Sequence, residues 1–189
     1  MPSATQPIDA PLDSAPLRDL VLRNWRGADV RLGDLWSEHA ALLAFMRHYG
    51  CTFCRDQAVG LHWVAPELER AGAPLTLIGQ GTPGNAAAFR ERFGLDVDLL
   101  ADTDRMAYRA VGARRVGAEK LIGPRMLARG AARMLRSGVV QGRTVGHPAQ
   151  LGGLLLVRPG GEVAWSHLSG DASDYPPAEE VLERVAGAL

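Results

Sequence analysis

Apolar positions in this chain form two kinds of run: short unbroken ones, and stripes that recur every three or four residues. "ALLAFMRH", Ala41 to His48, is nearly unbroken, the mark of a strand buried on both faces. Beyond a turn at Gly50, Cys54, Ala58, Leu61, Ala65 and Leu68 recur at helical spacing and mark an amphipathic helix. Pro66, with Gly60, interrupts that stripe and is expected to bend the helix or begin a second one. "APLTLIGQG", Ala73 to Gly81, repeats the buried-strand pattern and ends in a glycine-rich loop. Thr82 then stands where an N-cap belongs, Pro83 at the first helical position, and Gly94 at the stop. A short strand in "VDLLAD" leads to a brief helix in "TDRMAYRAVG", closed by Gly112. After a long middle segment, "LGGLLLVRPGGEVAWSHL" predicts two strands around an Arg-Pro-Gly-Gly turn. The last helix, "PPAEEVLERVAGAL", opens with prolines and acids, as a helix N-terminus favours. Near the front, Val21 to Leu32 reads as a small hairpin turning at "RGAD".

This order predicts an α/β domain of thioredoxin-like layout, a central mixed sheet flanked by helices, with an N-terminal hairpin extension. The domain is expected over residues 20–189, behind a flexible Pro-rich leader at 1–19. Composition agrees with one globular unit: 47% of the 189 residues are hydrophobic and 22% charged. Net charge is zero, 21 Lys and Arg against 21 Asp and Glu, so nothing global advertises a nucleic-acid partner. No run of eighteen apolar residues predicts a membrane span, and the first residues lack the pattern of a secretory signal. A cytoplasmic protein is the expectation.

Charge is uneven along the chain. Residues 113–147 are expected as a basic helical insertion, with Arg114, Arg115, Lys120, Arg125, Arg129, Arg133, Arg136 and Arg143 against the single acid Glu119. Its bland reading is a helix packed on the domain with a solvated cationic face, favoured by the neutral overall charge. Its functional reading is a surface for an anionic substrate or partner.

The two cysteines of the chain, Cys51 and Cys54, lie in "RHYGCTFCRDQ". Two cysteines placed at random fall at this spacing roughly once in a hundred arrangements. A redox dithiol, half a metal site and two inert buried thiols all remain open from spacing alone. A structural disulfide fits least, because cytoplasmic thiols stay reduced unless cycling is their job. Zinc usually takes four ligands; His48 adds a third, and His62, His147 and His167 are scattered. Placement favours the redox reading. The pair opens a helix, where unpaired N–H groups and the helix dipole stabilise a thiolate. Arg47, Thr52 and Arg55 are its expected surroundings, the two arginines deepening the effect.

Three blocks carry a resemblance: "FMRHYGCTFCRDQ", "PGNAAAFRERFGLDVDLLADTDRMAYRAVG" and "AQLGGLLLVRPGGEVAWSHLSGDASDYPPAEEVL". They are similar, in order, to the AhpC/TSA-like, peroxiredoxin-like antioxidant proteins, a group that includes the prostamide/prostaglandin F synthases. The resemblance implies a thioredoxin fold, a redox-active dithiol at Cys51 and Cys54, and antioxidant or reductase chemistry. The substrate would be a peroxide or disulfide, and electrons would come from a thioredoxin- or glutathione-type donor. No bound cofactor is expected, since sulfur carries the two electrons itself. Position assigns Cys51, first in the helix and expected nearer solvent, as attacker and Cys54 as resolver. Counting on the peroxiredoxin pattern gives the opposite order, with the attacking thiol at Cys54. A redox sensor, or a binding protein docking through the basic insertion, are the alternatives to an enzyme.

Overall fold

The structure is a computed structural model that describes residues 12–117 and 145–189. Seven strands form one mixed sheet: β1 (Val21–Asn24), β2 (Asp29–Arg31), β3 (Ala41–Phe45), β4 (Leu75–Gly79), β5 (Asp98–Ala101), β6 (Gly153–Val157) and β7 (Val163–Leu168). Their order across the sheet is β2-β1-β5-β4-β3-β6-β7. β3, β4 and β5 run parallel, and the outer strands are antiparallel to their neighbours. The helices are α1 (Ala15–Arg18), α2 (Thr52–Arg70), α3 (Pro83–Phe93), α4 (Met106–Ala110) and α5 (Ala178–Ala188), with a 3-10 turn at Leu32–Trp36.

The unbroken apolar run of β3 has its physical reason in two cores. Leu42 and Ala44 face one, with Cys54, Ala58, Leu61 and Leu68 of α2, Phe89 of α3, and Val181 and Val185 of α5. Ala41, Leu43 and Phe45 face the other, beneath Leu17 of α1, Trp36, and Tyr108 of α4. A strand with helices over both faces leaves no side for polar residues. The helix signals at α3 are met: the Thr82 side chain accepts from the Asn85 amide, Pro83 leads, and Gly94 closes with φ +60°.

Other expectations fare differently. Helix α2 is one continuous helix of 19 residues, neither broken nor restarted at Pro66. Pro66 is exposed, so water can meet the carbonyl that loses its helix donor there. At the front, the last residues of the expected leader are packed: Ser14 is buried and Leu17 is wholly covered. The hairpin at Val21 to Leu32 is present and pairs through β1 with β5.

The core of the expected basic insertion, with Lys120, Arg125, Arg129, Arg133, Arg136 and Arg143, lies outside the described residues, as do residues 1–11. Its two described ends meet: Arg115 bridges Gln150, and the Val116 amide donates to the Ala149 carbonyl.

Candidate active site

β3 delivers the chain to the carboxyl edge of the parallel strands, where clefts form in open α/β sheets. Past Phe45 the chain turns, the Cys51 amide donating to the His48 carbonyl at 3.0 Å, and Cys51 becomes the N-cap residue of α2. Cys54 sits in the first turn of the helix. Both thiols are free, and both are buried: Cys51 is 2% exposed and Cys54 is wholly covered. Cys51 is marginally the more exposed of the two, but at 2% it is far from open to solvent.

Arg47 links both sulfurs. Its main-chain N–H donates to Cys54 Sγ at 3.2 Å, and its guanidinium Nη1 lies 3.8 Å from Cys51 Sγ. The other arms of the fork, Nε and Nη2, donate to the Pro148 carbonyl at 3.1 and 2.8 Å. Gln80, at the end of β4, holds the same junction together. Its amide nitrogen donates to the Arg47 carbonyl, and its oxygen accepts from the His147 amide at 2.8 Å. Arg47 is buried, 5% exposed, and its guanidinium is therefore fixed rather than free to follow solvent. A planar fork held on a carbonyl is the kind of site that suits arginine and not lysine.

The electrostatics of the pair are divided. The Cys51 thiol is held down at about 6, chiefly by the hydrogen bond it receives from Cys54. Burial opposes that shift, while the Cys54 amide, Arg47 and the Phe53 amide support it. Cys51 makes no capping hydrogen bond of its own, so those amides act on it from longer range. Cys54 is pushed the other way, by burial first and then by its partner. Near neutral pH the pair is one thiolate on Cys51 and one thiol on Cys54.

Of the expected surroundings, Arg47 is in place and Arg55 is not. Arg55 pairs with the Asp56 carboxylate and lies 5.8 Å over the Phe93 ring, away from the thiols. A neighbour in sequence is turned by the helix to another face. Thr52 is the first residue of α2.

Three further groups complete the site. The Tyr175 hydroxyl, from the segment before α5, lies 3.4 Å from Cys54 Sγ. His48 is wholly buried, with both ring nitrogens lacking hydrogen-bond partners among the described residues. Burial, aided by the Arg47 charge, pulls its imidazole down to about 4. Gln80 is buried where the sequence shows only a glycine-rich turn. Among the described residues no group of three or more His, Cys, Asp or Glu side chains is placed to hold a metal ion. Nor is any helix among them long and apolar enough to cross a membrane.

A thioredoxin-like sheet carrying two close thiols, one of them acidic, defines a thiol oxidoreductase of peroxiredoxin-like type. The profile of the AhpC/TSA antioxidant enzymes matches residues 60–171, and the chain belongs to that family. A prostamide/prostaglandin F synthase of Salmo salar is 30% identical over 180 residues, covering 93% of this chain and 89% of that relative. Peroxiredoxin-like 2C of Homo sapiens is 27% identical, over 97% of this chain and 83% of its own length. Among solved structures, peroxiredoxin Q of Xanthomonas campestris superposes with a TM-score of 0.66 at 19% identity, over 94% of this chain and 96% of that one. The peroxidoxin BcpB of Mycobacterium tuberculosis gives 0.67 at 16%, over 94% and 98%. These structural likenesses establish the fold.

Proposed function

We propose that the protein reduces small peroxides by cycling Cys51 and Cys54 between dithiol and disulfide, with Cys51 as the attacking thiolate. The observation that carries this reading is the shared setting of the two sulfurs, Arg47 reaching Cys51 with its guanidinium and Cys54 with its amide. The Cys51 thiolate attacks one peroxide oxygen, the O–O bond breaks, and the departing alkoxide or hydroxide takes a proton. Cys51 is then a sulfenic acid. Cys54 attacks that sulfur, the S–O bond breaks, water leaves, and the disulfide forms. Two electrons have passed from the sulfurs to the peroxide. A thioredoxin- or glutathione-type thiol returns them, in a compartment that keeps thiols reduced, such as the cytoplasm.

Burial supports the peroxide class over the disulfide class. With Cys51 only 2% exposed, a small hydroperoxide reaches the sulfur more easily than a disulfide fixed in a folded protein. The test is steady-state turnover with hydrogen peroxide, tert-butyl hydroperoxide and a disulfide-bonded protein, each coupled to a thiol donor. Expected results are peroxide turnover well above that of the protein disulfide, and loss of turnover in Cys51→Ser. Faster protein-disulfide reduction would reverse the substrate assignment. Peroxide consumption that stops after one equivalent despite excess donor would mean a sensor in place of an enzyme.

A further inference from the structure

The Tyr175 hydroxyl has no part in the cycle above, yet it touches a reacting atom, 3.4 Å from Cys54 Sγ. The Arg47 main-chain N–H donates to the same sulfur at 3.2 Å. Either group can donate in this contact while Cys54 is a thiol; once Cys54 leaves as a thiolate it has no proton, and the phenol is the donor. Burial, and the charges of Cys54 and Cys51, push the ionisation of Tyr175 well above the usual range. The phenol therefore keeps its proton and serves as a donor rather than an acid. The backbone leaves room for it: a Cβ on Gly152 would come within 3.3 Å of the hydroxyl.

From this geometry we infer that Tyr175 and the Arg47 amide form a two-donor cradle for Cys54 as a leaving thiolate, making Tyr175 a catalytic residue of the reductive half-reaction. The inference rests on the dithiol cycle. In that half-reaction a donor thiolate, glutathione for example, attacks Sγ of Cys51, marginally the more exposed of the two residues. A new S–S bond forms to Cys51, the Cys51–Cys54 bond breaks, and its electron pair leaves on Cys54. A better stabilised leaving thiolate departs faster, and both donors already stand in place. Cys54 then takes a proton from water. A second donor thiol frees Cys51, so two donor thiols are oxidised to one disulfide as the protein disulfide is reduced. The attack of Cys51 on peroxide puts no charge on Cys54 and does not use the cradle.

Tyr175→Phe separates the two halves. Pre-oxidised protein is mixed with glutathione, and pre-reduced protein with hydrogen peroxide, each followed by tryptophan fluorescence across pH. Hydrogen bonds to charged groups contribute about 1.5–3 kcal/mol, so reduction is expected to slow on the order of tenfold or more, while the peroxide step changes little. A second readout uses Cys51→Ser, in which adding Tyr175→Phe is expected to raise the pH midpoint of Cys54 alkylation. Equal slowing of both halves would mark Tyr175 as merely structural. Unchanged reduction or an unmoved Cys54 midpoint would overturn the inference. Retention of turnover by Cys51→Ser would instead bring down the cycle beneath it.

Discussion

At the scale of single residues, the site is a set of buried polar groups whose charge states are imposed by their neighbours. His48 gives this a measurable consequence. Its imidazole titrates near 6.5 in the unfolded chain and is held at about 4 in the fold, chiefly by burial. Below about pH 6.5 the unfolded chain binds a proton that the folded chain refuses. The stabilising effect of a neutral His48 is thus complete above that pH and is lost as pH falls toward about 4. Urea denaturation at pH 7 and pH 4.5 is expected to show a smaller acid loss for His48→Leu than for the unaltered protein. Equal losses in the two would show that His48 is not the group responsible. The sequence made Cys51, Cys54 and Arg47 visible because eight consecutive residues hold all three. It did not reveal Tyr175, Gln80 or the Pro148 carbonyl. Tyr175 meets Cys54 across 121 positions, Pro148 meets Arg47 across 101, and Gln80 meets Arg47 across 33. No local pattern encodes such meetings. Arg55 is the converse case, close in sequence and turned elsewhere by the helix.

At the scale of elements, glycines separate two physical requirements. A Cβ on Gly152, just before β6, would lie 1.9 Å from the Phe45 carbonyl oxygen at the end of β3. Neither backbone can yield without moving the strand pair beneath the cysteine loop. Gly94, at the end of α3, has φ +60° and open space around it. Gly152→Ala is expected to cost about 3 kcal/mol through overpacking, and Gly94→Ala about 1 kcal/mol through left-handed strain. Chemical denaturation of both variants checks the order, and a larger loss at Gly94 would contradict it. The same contrast shows which elements were legible. The buried strands and the capped helix α3 follow from local signals that agree with one another. Continuous helix through Pro66 does not, since its tolerance depends on which face meets water. The short helix α1 has Ser14 before it and a proline in its first turn, and its Leu17 joins the core cluster that contains Trp36.

At the scale of the whole molecule, sheet order and site are one arrangement. β3 lies next to β4 and β6, so the loop leaving it meets the edge of β4 through Gln80 and the approach to β6 through Pro148. The family profile begins at residue 60, after both cysteines, so the scaffold is recognisable without the two thiols proposed to react. The assignment of roles within the pair therefore has to come from geometry: a thiolate on Cys51 beside Arg47, and a covered, protonated Cys54. Mass spectrometry of Cys51→Ser and Cys54→Ser, each reduced and then treated with one equivalent of hydrogen peroxide and a sulfenic-acid trap, tests this directly. The account predicts a single adduct on Cys51 in the Cys54→Ser protein and an unmodified Cys54 in the Cys51→Ser protein. An adduct on Cys54 in Cys51→Ser, with Cys54→Ser left unmodified, would contradict it and reverse the roles of the two thiols.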